Sequence, residues 1–153
     1  MAFLFCLGEG NSPNANFMNK LILLKITLCL GAVYYAVGGV AHYFGLTIFP
    51  WFDGRLYAPY QDTVIAFICL VLILLLLTVA RDPIKNIDAL NLIILTVFLA
   101  SIFSIVVIWK VDFAALGAPA KKTQTIFEGV LGFLYFGALL YLHPKSWFEK
   151  NNC

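Results

Sequence analysis

The sequence predicts an all-α integral membrane protein, a four-transmembrane-helix up-down bundle with short loops. Three observations carry that expectation. Of 153 residues, 62% are hydrophobic and only 12% carry a charge, whereas soluble domains average about 45–50% apolar and about 25% charged residues. The mean hydropathy is +0.92. The apolar residues gather into four runs, each near the ~20 residues that an α-helix needs to cross a bilayer.

The first run extends over about 21–46, the second over 63–80, the third over 89–109 and the fourth over 126–142. The first is long enough to exceed a ~30 Å hydrocarbon core, so it tilts or continues into the headgroups. Arg81-Asp82-Pro83 closes the second run, because the residue before a proline is pushed out of the helical region. Asp88 is placed to cap the third. Thr125 and Glu128 have the spacing of a capping box, hydroxyl at the N-cap and carboxyl three residues on, opening the fourth. His143-Pro144 ends it. With no water in the bilayer core, backbone polar groups must pair within the segment, which leaves helices as the crossing structure. Short connectors then give neighbours that run antiparallel.

Residues 1–20 form a polar N-terminal tail, 21–143 the transmembrane domain and 144–153 a short C-terminal tail. The first residues, MAFLFCLGEG, lack a basic start and meet Glu9 early, so they are expected to stay on the mature chain. Lys20, Lys25, Arg81, Lys85, Lys145 and Lys150 fall at one end of the bundle, against Arg55, Lys110, Lys121 and Lys122 at the other. Six against four favours cytoplasmic termini.

The connector Phe49-Pro-Trp-Phe-Asp-Gly-Arg-Leu-Tyr-Ala-Pro-Tyr-Gln-Asp62 is dense in aromatic rings. Amphipathic rings settle at the headgroup level, and Trp109 and Trp147 extend the same belt at the two faces. The sharper reading makes Trp51, Phe52, Arg55, Tyr57 and Tyr60 a partner-docking surface, since aromatic residues and Arg are enriched at interface hot spots.

Ionisable groups inside a span default to functional candidates. Lys25 can reach the interface with its long stem. Gly31, Tyr35, Gly38 and His42 share one stripe of the first helix, and Glu128, Gly132 and Tyr135 one stripe of the fourth. Ser101 and Ser104 lie on the third. Antiparallel helices bring His42, Ser104 and Glu128 to a common depth, about one turn below the surface. The bland account makes Glu128 a helix cap and His42 a bundle hydrogen bond. The sharper one makes Tyr35, His42, Ser104, Glu128 and Tyr135 a ligand-binding pocket for a lipid headgroup or a quinone-like ring.

One His and one Glu do not specify a metal site, although Asp62 or Asp112 could add a ligand, so no metal is expected. Cys6, Cys29, Cys69 and Cys153 form no CxxC pair, and those inside apolar runs behave as small hydrophobes. No catalytic motif or phosphate-binding loop is present, and the net charge of +2 is too small for a nucleic-acid footprint. No catalytic residue and no cofactor beyond bound lipid are expected. The functional expectation is a non-catalytic accessory or stabilising subunit, with membrane lipid, other integral membrane subunits and self-association as its contacts. The alternative is a lipid- or quinone-binding protein or small carrier that uses the His42–Glu128 region.

Overall fold

The computed structural model describes residues 15–48 and 52–144. Four helices follow in order: α1 (Ala15–Phe44), α2 (Pro59–Arg81), α3 (Ile87–Lys110) and α4 (Ala120–Tyr141). Each is long and apolar enough to cross a membrane. At about 1.5 Å per residue the 30 residues of α1 reach about 45 Å, well beyond one hydrocarbon core. Helix α1 starts six residues before the expected Leu21, because the polar residues ahead of it extend the helix without adding hydropathy.

The ends of α1 and α2 have local causes. Gly45, at φ +64°, takes the left-handed conformation that ends many helices. There the Leu46 N–H donates to the Ala41 carbonyl at 2.9 Å and the Gly45 N–H to the His42 carbonyl at 3.4 Å, the paired bonds of a Schellman cap. Helix α2 starts with Pro59 at its first position, where the missing N–H costs nothing. It ends at Arg81, as the Asp82-Pro83 step predicts. Asn86, not Asp88, is the N-cap of α3, and Asp88 sits in its first turn.

The expected capping box of α4 does not form. The helix begins at Ala120, and its N-cap, Pro119, makes no side-chain cap. The Thr125 hydroxyl donates to the Lys121 carbonyl inside the helix at 2.9 Å. Lys121, Lys122, Thr123 and Gln124 are helical but too polar to register as a span, so the apolar pattern marked the wrong start.

The helices form two antiparallel hairpins. Helix α1 packs along α2 and α3 along α4, while contact between the hairpins is sparse. Lys25 Nζ, a third of the way along α1, donates to the Arg81 carbonyl at 3.1 Å, tying α1 to the end of α2. His143 and Asn91 tie the ends of α4 and α3 in the same way, 2.9 Å apart. Close packing follows the small residues: Gly39 lies against Cys69, and Gly132 against Ser101, as glycine allows in membrane helices.

The buried core is concentrated at one end. Leu24 and Leu28 of α1, Leu76 and Val79 of α2, Leu90 and Ile93 of α3, and Leu139 beside Leu142 form one cluster. These residues come from the half of the bundle that holds the 82–86 turn, hereafter the turn end. The opposite half, which holds the connectors 45–58 and 111–119, is the connector end. Between the core and that end, the interhelix space is lined by tyrosines, serines and a glutamate.

Candidate functional site

Near the middle of the bundle, beside the core cluster, α1, α3 and α4 enclose a cavity of about 400 Å³. Helix α1 supplies Gly31, Tyr34 and Tyr35, α3 supplies Ser101 and Ser104, and α4 supplies Glu128 and Tyr135. The remaining wall is apolar, including Val97 and Leu131. Leu30 of α1 and Leu134 of α4 also line the cavity, yet stand 63% and 66% exposed. They mark a mouth on the lateral surface of the bundle, between the two hairpins.

The depth follows from helix length. Glu128 lies eight residues into α4, about 12 Å along the axis, and Tyr135 about 22 Å. The sequence placed Glu128 one turn below the surface only because it started the helix too late. Two turns of helix, polar as far as Thr125, precede Glu128, and from the first of them Lys121 reaches down, its Nζ 3.8 Å from Glu128 Oε1.

The hydroxyls differ in how they are used. Ser101 donates to the Val97 carbonyl at 2.8 Å and Ser104 to the Ala100 carbonyl at 3.1 Å, so both protons are spent on their own helix. The Tyr135 ring approaches α1 at Gly31, where a Cβ would collide with its hydroxyl. Its Oη is buried, and no described residue bonds to it. Gln124, one turn before Glu128 on α4, has an Oε1 in the same condition, but it does not line the cavity.

Tyr35, Ser104, Glu128 and Tyr135, expected on one site, therefore share one cavity. His42 does not line it. His42 Nδ1 lies 2.6 Å from Asp62 Oδ1, and the imidazole is tilted against the ring of Phe52 with centroids 4.5 Å apart. Asp62 Oδ2 accepts the N–H of Ala58. His42 thus makes the bundle hydrogen bond of the bland account, joining α1 to α2, and not the meeting with Glu128 of the sharper one. Tyr34 and Ser101 complete the cavity. The Gly31 stripe includes Tyr34 by its i+3 spacing, a signal that the sequence contained.

The aromatic connector folds inward as much as outward. Phe52 is buried. Arg55 donates from Nη2 to Asp53 Oδ2 at 2.8 Å and from Nε to Oδ1 at 3.1 Å, which holds the buried Asp53 carboxyl below the usual carboxylate range. Tyr57 lies over Gly45 and donates to the Tyr43 carbonyl at 3.4 Å. Among the described residues Tyr60 and Trp109 are the most exposed rings, at 83% and 85%. Trp51, Phe49 and Trp147 lie outside the described residues. Among the described residues no three His, Cys, Asp or Glu side chains converge to hold a metal ion.

No protein-family model, no curated protein and no solved structure matches this chain.

Proposed function

We propose that this multi-pass membrane protein binds a lipophilic molecule, taken from the bilayer, in the cavity between its two helical hairpins. The lateral mouth at Leu30 and Leu134 carries the reading. A cavity that opens into the plane of the membrane is reached from lipid rather than from water. Its makeup also fits, since small-molecule sites are mostly apolar with a few convergent polar groups and often lie between the helices of bundles. The role is binding or carriage, and no chemical step is part of it.

The basic residues at the turn end, with those of both tails, outnumber those at the connector end. On the positive-inside tendency we place the termini in the cytoplasm and the cavity in the opposite leaflet and midplane.

The accessory-subunit expectation draws on the same lipid-facing surface, so one purification separates the two. Extraction in mild detergent followed by native mass spectrometry is expected to show a single bound lipophile on the lone chain. Ala100 of α3 also lines the cavity, and Ala100→Trp, which fills it, is expected to release the lipophile while the helical content stays unchanged. Stoichiometric polypeptide companions with no bound lipophile would favour the accessory role instead.

A further inference from the structure

We infer that the molecule held in the cavity is neutral and meets the Tyr135 hydroxyl through a carbonyl oxygen. The inference rests on the reading of the cavity as a lipophile site and adds the chemistry of the ligand head. Three observations carry it.

The first is the Tyr135 Oη–H. Among the described residues it is the one cavity-lining side-chain atom that is buried with no hydrogen-bond partner. An unpaired polar group in an apolar setting is costly, and hydrocarbon offers it nothing. A hydroxyl whose proton is free calls for an acceptor, and a quaternary or protonated amine would supply none.

The second is the state of the other polar groups. The Ser101 and Ser104 protons are committed to backbone carbonyls. Glu128 already has the Lys121 ammonium 3.8 Å away, so it asks for no further counter-ion. Both features disfavour a charged ligand.

The third is placement. Gly31 lets the Tyr135 ring lie against α1 closer than any other residue would allow, which fixes the hydroxyl far from both connectors. A ligand that reaches it inserts its polar head deep and leaves its tail toward the mouth at Leu30 and Leu134. A phospholipid, whose headgroup stays at the surface, fits that orientation poorly. A carbonyl on a compact ring, as in a quinone, or on a slim ester fits it.

The test uses the full chain in detergent, with decylubiquinone, methyl oleate and the cation tetraphenylphosphonium as probes read by native mass spectrometry. A one-to-one adduct is expected with a carbonyl probe, decylubiquinone or methyl oleate, and which of them binds identifies the source of the carbonyl. Tyr135→Phe is expected to weaken that adduct about tenfold, the loss of one buried hydrogen bond. The ligand-free variant should melt at or above the wild-type temperature, because the unpaired hydroxyl is gone, so lost binding cannot be blamed on misfolding. Carbonyl probes that bind equally well to both proteins, or a preference for tetraphenylphosphonium, would overturn the carbonyl inference and leave the lipophile site standing. No adduct with any probe, together with no lipophile retained from the membrane, would overturn both.

Discussion

His42 near the end of α1 and Asp62 in the first turn of α2 are joined at 2.6 Å, Nδ1 to Oδ1, beside the ring of Phe52. The same carboxyl turns its other oxygen to the Ala58 N–H at the start of α2. One side chain therefore caps a helix and locks the connector end of the first hairpin. It sits where it can do both because Pro59 starts α2 three residues before it.

Removing either partner leaves a buried polar group without its match, at a cost of about 1–3 kcal/mol. Asp62→Ala should cost more than His42→Ala, since it also frees the Ala58 N–H. The double variant should fall short of the sum, with a coupling of about 0.5–3 kcal/mol. Thermal denaturation of the four proteins in one detergent checks this, and strict additivity would refute the pairing.

The adjacent glycines of α1 should answer oppositely to alanine. At Gly39 a Cβ would stand 3.0 Å from the Cβ of Cys69 on α2, whereas at Gly38 it would meet nothing within 4 Å. Gly39→Ala forces the hairpin apart and should cost about 1–3 kcal/mol. Gly38→Ala adds only helix propensity and should be neutral or gain up to about 1 kcal/mol. Melting temperatures of the two variants provide the comparison.

Acid should loosen the connector between α1 and α2. The Arg55 guanidinium, hydrogen-bonded to Asp53, lowers the pKa of that buried carboxyl in the folded protein. A lowered folded value contributes stability that is present above the unfolded value of about 3.9 and is lost as pH falls through the folded one. Stability in detergent should therefore hold from neutrality to about pH 5 and decline below about pH 4. Asp53→Asn removes this part of the pH dependence, so its curve should be flatter in acid and start lower at neutral pH.

Much of this architecture was legible, and its gaps have physical causes. Hydropathy located four crossings because burial in lipid is written directly in composition. It misplaced the starts of α1, α2 and α4, whose first turns carry polar residues or proline, and the α4 error alone moved Glu128 from the third turn to a helix cap. Stripe arithmetic put Glu128 and Tyr135 on the face of α4 that lines the cavity, since i, i+3 and i+4 spacing survives any error in helix ends, but it also set His42 on the Tyr35 stripe of α1. It could not choose the partner of His42. That choice required knowing that α2 starts at Pro59 rather than Thr63, which turns Asp62 from a loop residue into one facing α1. The proline at a helix start was the available clue. The aromatic connector was read as a surface, but Phe52 covers the His42 ring, a tertiary contact that composition does not encode.

The central claim is that the cavity wall meets a selected lipophile rather than bulk lipid or a protein neighbour. Photo-crosslinking in native membranes tests it directly. A benzophenone amino acid in place of Leu131 would project from the cavity wall, and the same probe in place of Leu92 would stand on the exposed face of α3. One dominant lipophile adduct is expected at position 131 and a mixture of bulk phospholipids at position 92. The same mixture at both positions, or a polypeptide adduct at 131, would contradict the claim.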